Sequence, residues 1–162
     1  MPLFTVTIET PRHSTGKYVY DPKERCFHLK KLLPLGMSFP YDFGIIKSTV
    51  GEDGDPLDAM VITECDTYPG VEINCRMIGV LQAFQREPRS KKIRNDRYFF
   101  IPEETIKYDH IKNISDFSRK HNQQLIDFFV NYNKVEGKIF IPYPESKFGL
   151  ITPEYSQSKH NT

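Results

Sequence analysis

The chain has 162 residues, 38% of them apolar and 13% aromatic, with 12 Phe and 9 Tyr but no Trp; that is enough to bury a core in one domain without staples. A formal net charge of +1 gives no overall pull toward nucleic acid or a membrane surface, so an electrostatic function has to be local. Cys26, Cys65 and Cys75 are odd in number and never spaced as Cys-x-x-Cys, which argues against a disulfide framework or a zinc site and for idle thiols in a reducing compartment.

The start of the chain has no basic n-region and no long apolar stretch, and no run approaches membrane-spanning length; a cytoplasmic protein is expected. Residues 3–9 alternate, with Phe4, Val6 and Ile8 on one face, and read as a strand. Residues 17–20 and 26–30 flank the turn Asp21-Pro22-Lys23-Glu24 as a strand pair, with Lys17, Lys30 and Lys31 as edge charges. Residues 32–43 read as irregular because Pro34, Gly36, Pro40 and Gly44 interrupt them.

Glu52, Asp53, Asp55 and Asp58 follow, four carboxylates in seven positions ahead of the apolar run Ala59-Met60-Val61-Ile62. Crowded carboxylates repel, and buried ones need a partner or a cation. Gly54 and Pro56 make the segment a turn entering a strand over 57–63, with Asp53 and Asp55 on one face of an extended backbone and Asp58 returned to it by the turn. Three oxygen donors of this kind suit Mg²⁺, with Mn²⁺ as a substitute. A calcium loop fails: one starting at Asp53 puts Leu57 and Asp58 where an oxygen ligand and a glycine are needed.

Further along, residues 71–84 read as a strand pair split near Gly79, and 85–94 as a mobile basic loop. Residues 97–101 form a strand stopped by Pro102. Ser115 caps a helix over 115–132 with Phe117, Leu125, Ile126, Phe128 and Phe129 inward, and 138–141 return as a strand. Short strands with one late helix predict an α+β domain over residues 1–150, a small closed β-barrel carrying a helix, followed by a polar tail at 151–162.

Phe39-Pro40-Tyr41-Asp42-Phe43-Gly44 followed by Asp53-Gly54-Asp55-Pro56-Leu57-Asp58 is similar to the Asp-x-Asp-Pro-x-Asp signature of soluble family I inorganic pyrophosphatases and the aromatic motif before it. Ile8-Glu9-Thr10-Pro11, Lys17-Tyr18, Tyr108-Asp109-His110-Ile111 and Phe128-Phe129 through Gly137-Lys138 follow in the family's order. The resemblance implies a five-stranded, OB-like barrel with one or two flanking helices, a homo-oligomer, and Mg²⁺-dependent hydrolysis of inorganic diphosphate. It further implies Asp53, Asp58 and Glu9 as metal ligands and Asp55 as the carboxylate that helps deprotonate the attacking water. Lys17, Lys31, Arg97 and Tyr132 then correspond to phosphate-binding groups.

Several positions depart from that pattern. Val19 replaces an acidic residue, Lys31 an arginine, Phe43 a tyrosine and Arg97 a lysine. Asn95 takes the place of a metal-binding aspartate, and Asn133 stands where a lysine is common. A neutral amide is a poorer Mg²⁺ ligand than a carboxylate, so the alternative is an impaired relative that binds Mg-phosphates or a protein partner. Another is hydrolysis of an organic phosphoanhydride. A compensating role for Lys91, Lys92 and Arg94, closing over diphosphate, is a further expectation.

Overall fold

Phe4, Val6 and Ile8 do share one side of β1 (Phe4–Thr10) and pack in one apolar cluster, as period-two alternation requires. The computed structural model describes residues 2–142; the polar tail and the expected boundary at residue 150 lie outside them. β2 (Gly16–Asp21) and β3 (Cys26–Leu32) form a separate antiparallel hairpin. β1, β4 (Asp42–Ile46), β5 (Asp58–Val61), β6 (Glu72–Leu81) and β9 (Arg97–Pro102) close into a barrel in the order β1-β4-β5-β9-β6. Its pairings are antiparallel except β5 with β9, which run parallel.

β7 (Ala83–Arg86), β8 (Ile93–Arg94) and β10 (Ile139–Pro142) make a small outer sheet, and α1 (Arg119–Val135) covers the barrel wall. Val6, Ile8, Ile46, Val61, Val80 and Phe100 belong to the cluster filling the barrel. Met60, Ile62, Phe99 and Ile101, their neighbours on β5, β9 and just beyond, join Phe39, Leu125, Phe129 and Phe140 under the helix. Central strands buried on both faces show as unbroken apolar runs, which is why 59–62 and 98–101 carry no polar alternation. Among the described residues no helix is long and apolar enough to cross a membrane.

Four local expectations need correction. Residues 42–46 are a strand and not the end of an irregular stretch: Gly44 lets β4 approach β1 so closely that a Cβ there would lie 2.1 Å from the Thr7 carbonyl oxygen. The chain does not split at Gly79; β6 continues through a bulge between Met77 and Gly79 and ends at Leu81. Residues 85–94 are a hairpin, pairing Phe84 with Arg94 and Gln85 with Ile93. The helix starts later than Ser115. Asn113 and Asp116 form a capping box on the short 3₁₀ turn Ile114–Asp116, and the Ser118 hydroxyl caps α1 by accepting from the His121 N–H at 3.1 Å.

Candidate active site

The acidic turn is closed on itself. The Gly51 N–H donates to the Asp55 carbonyl at 2.6 Å, Gly54 sits at φ 86°, and the Asp55 N–H donates to Asp53 Oδ1 at 3.0 Å. This is a compact turn and not extended backbone, so the two aspartates face different ways. Asp53 borders a small pocket with Glu52, Arg94, Asn95 and Asp96. Asp55 and Asp58 line a neighbouring cleft of about 480 Å³ with Glu9 and Lys17.

Glu9 reaches that cleft from β1, its Oε2 accepting from the Tyr20 N–H at 2.9 Å, and so ties the barrel to the β2–β3 hairpin. Asp58 opens β5, and the parallel register sets it beside Arg97. Arg97 is 3% exposed, donates to Asp58 Oδ2 at 2.6 Å, and lies over the rings of Phe129 and Phe140. It also donates to Asn95 Oδ1, while the Asn95 amide donates to Gln85 Oε1 at 2.7 Å. Both ends of the Asn95 amide are therefore engaged, and its immediate work is to fix Arg97. Asp96 is engaged elsewhere, accepting from the Ala83 N–H and holding Arg94 Nε with both oxygens at 3.0 Å.

Lys17 and Lys31 are cross-strand partners beside a bulge between Lys17 and Tyr18. Their ammonium groups converge on Glu136 Oε1, at 3.1 and 2.8 Å, and both lie about 5 Å above the Tyr132 ring, at 5.1 and 4.9 Å. Lys138 approaches the other Glu136 oxygen at 3.8 Å. Burial pushes the Glu136 carboxyl up, but hydrogen bonds and charge from Lys31 and Lys17 outweigh it and hold the pKa at about 2. Burial, with Glu136 adjacent, raises the Tyr132 phenol well above its ordinary range. Burial also lowers the Lys17 ammonium, with Glu136 opposing.

Sequence reasoning passed over two residues here. Lys30 lines the cleft, although it read as a solvated edge charge. Glu136 had one signal in the sequence: an acid immediately before Gly137, at a helix C-terminus where the dipole disfavours negative charge unless it is paired. Asn133 is buried, and its amide donates to the Phe129 carbonyl at 2.8 Å within the helix. Val19 and Phe43 line the cleft beside Tyr20 and Ile45, and together they give it an apolar wall. The basic hairpin contributes nothing to that lining. The Arg94 guanidinium pairs with Asp96 while its backbone N–H donates to Glu52 Oε2 at 2.8 Å, and Lys92 lies over Phe84.

The donor set fits a hard divalent cation. Burial raises the Asp58 carboxyl pKa against the opposing pull of Arg97 and Lys17, and Asp53 and Asp55 raise it further. Glu9 is raised by burial and by Asp58, against the Tyr20 N–H and Lys17. Neighbouring carboxylates thus hinder the ionisation of Asp58 and of Glu9, a conflict that a bound cation removes. Among the described residues no three Asp, Glu, His or Cys side chains converge on one point. Carboxylates supplied singly or in pairs, with water and phosphate oxygens completing the shell, suit Mg²⁺, and the cleft lining holds no His or Cys for a softer metal.

A sequence profile described as "Inorganic pyrophosphatase" matches residues 6–146. Over 137 residues the chain is 36% identical to an inorganic pyrophosphatase of Synechocystis sp., covering 85% of this chain and 78% of that one. Among solved structures, an inorganic pyrophosphatase from Thermus thermophilus superimposes with TM-score 0.81 at 29% identity, covering 98% of this chain and 87% of that one. An inorganic phosphatase from Anaplasma phagocytophilum gives TM-score 0.77 at 28% identity, covering 87% and 82%.

Proposed function

Because the chain belongs to the inorganic pyrophosphatase family, we infer that it hydrolyses inorganic diphosphate to two orthophosphates with a divalent cation, Mg²⁺ first and Mn²⁺ as a substitute. The observation that carries this reading is the juxtaposition, around one cleft, of the carboxylates Glu9, Asp55 and Asp58 with the cations Lys17 and Lys30. A tetra-anionic substrate requires both signs together: cations to hold its oxygens, and anions to hold the metal and take up a proton.

Glu9, Asp55 and Asp58 would supply oxygen donors singly or in pairs to a cation in the cleft, and Asp53 to one at the neighbouring pocket, with Asn95 acting at that end of the site through Arg97. When bound, the cation neutralises charge on the phosphate oxygens and makes the attacking water more acidic. Asp55, at the exposed end of the turn, accepts the proton of that water at a carboxylate oxygen while the bridging P–O bond breaks. Lys17 and Lys30, with Lys31, Arg97 and Tyr132 adjoining, hold the phosphoryl oxygens and steady the leaving phosphate. Arg97 also orients Asp58 and favours its ionised form against burial.

Phosphate release from diphosphate with Mg²⁺ and then Mn²⁺, using Asp55→Asn as the control, tests this. Release by the wild type and its loss in the variant support the reading, whereas no release with either metal would sink it in favour of an impaired, phosphate-binding relative. The apolar wall of Val19, Tyr20, Phe43 and Ile45 favours a second reading, an organic phosphoanhydride whose leaving group packs there. Faster turnover of a nucleoside diphosphate than of diphosphate selects it. Homo-oligomerisation and cytoplasmic residence belong to the same proposal; light scattering reads the first and localisation of the tagged protein the second.

A further inference from the structure

Lys17 and Lys31 stand directly opposite each other on a two-stranded hairpin, an arrangement of like charges that is unfavourable by itself. Their ammonium groups nevertheless meet at a single oxygen atom, Oε1 of Glu136, at 3.1 and 2.8 Å. The hairpin belongs to neither the barrel nor the outer sheet, so this carboxylate ties it to the C-terminal end of α1. Glu136 is itself half-buried, its side chain 12% exposed, at a helix end that disfavours an anion. Tyr132, one helical turn earlier, presents its ring beneath both ammonium groups. An ammonium carries three donors, so Lys17, which lines the cleft, can serve Glu136 and still offer N–H groups to an incoming phosphate, while the buried Lys31 Nζ beside it keeps donors unused.

We propose that Glu136 is the positioning residue of the phosphate-binding lysines, holding Lys17 and Lys31 side by side on the Tyr132 ring so that diphosphate meets a preformed pair of cations. The role rests on the hydrolase reading above and adds to it a residue that does not line the cleft. Without the carboxylate the lysines repel, and substrate has to bring them together at a cost in binding. Glu136 keeps its proton affinity out of the chemistry. It neither touches the reacting phosphorus nor moves a proton.

The test is Glu136→Gln, read by the steady-state kinetics of diphosphate hydrolysis with Mg²⁺ and by calorimetric binding of inorganic phosphate. The expected result is a rise of about tenfold in KM and in the phosphate Kd, the size of one lost charge-assisted contact, with kcat within about twofold. In a Lys17→Gln, Lys31→Gln background the same change moves neither constant further. Unchanged KM and phosphate Kd overturn the proposal, and so does tighter binding, which would make Glu136 a competitor of substrate. A lower Tm with reduced kcat at unchanged KM assigns it a structural role only, and also overturns it. If Glu136→Gln does not fold, Glu136→Asp keeps the charge one methylene short; KM and Kd rising about threefold support the proposal and no rise rejects it. Failure of the wild type to release phosphate strikes the hydrolase reading alone, since the phosphate-binding arm still decides the role of Glu136.

Discussion

Asp55 and Asp58 face the same cleft yet predict different phenotypes. Asp55 lies in the exposed part of the turn, so Asp55→Asn removes activity, by at least about a hundredfold, while leaving the urea midpoint in place. Asp58 is also the partner of the buried Arg97 at 2.6 Å. Asp58→Ala therefore loses activity and, because the buried guanidinium loses its Asp58 acceptor and keeps the Asn95 oxygens, costs about 2–3 kcal/mol of stability. Phosphate release and urea denaturation on both variants check this contrast. The carboxylate pattern was legible because an acidic turn ahead of an apolar strand has few structural uses. The division of labour was not, since it depends on Arg97, placed by a parallel register that nothing local in the sequence specifies.

The elements divide in a similar way. β1, β9 and the body of α1 were legible because their side-chain periodicity is set by the face they bury. β4 was not, because its Gly44 reads locally as a breaker; the residue is required by the nearby Thr7 carbonyl, a tertiary fact. Gly44→Ala forces a Cβ to within 2.1 Å of that oxygen, so the variant should be recovered unfolded or insoluble, judged by circular dichroism. The helix start gives a gentler test. Ser118→Ala should lower stability by about 1 kcal/mol, whereas Ser115→Ala, outside the α1 cap, should change it by less than about 0.5 kcal/mol; thermal melts compare them. The sequence pointed to Ser115 as the cap, and the Asn113–Asp116 box on the preceding turn is what defers the helix start to Ser118.

For the whole molecule, the carboxylates act on stability in two opposed pH ranges. Glu136 has a folded pKa of about 2 against an ordinary 4.5. Its contribution, about 2 kcal/mol after allowance for solvent screening, is complete above pH 4.5 and disappears as pH falls toward 2. Glu9 and Asp58 have raised folded values, so the folded state holds their protons more tightly and loses stability as pH climbs from the ordinary carboxylate range through the raised values. Without divalent cations, Tm should therefore rise from pH 2 to about 4.5 and then decline. Adding Mg²⁺ should restore it increasingly toward neutral pH, because a cation binds the ionised pair; calorimetry with EDTA and with Mg²⁺ distinguishes the two curves. The parallel pairing of β5 with β9 has one further effect, on kinetics. Asp58 and Arg97 are 39 positions apart, so that seam closes only after a long loop has been ordered, a slow event in chain folding. After dilution from denaturant, secondary structure should return ahead of catalytic turnover. The chain has no Trp to report tertiary closure, which leaves regained turnover itself as the natural clock for the final step.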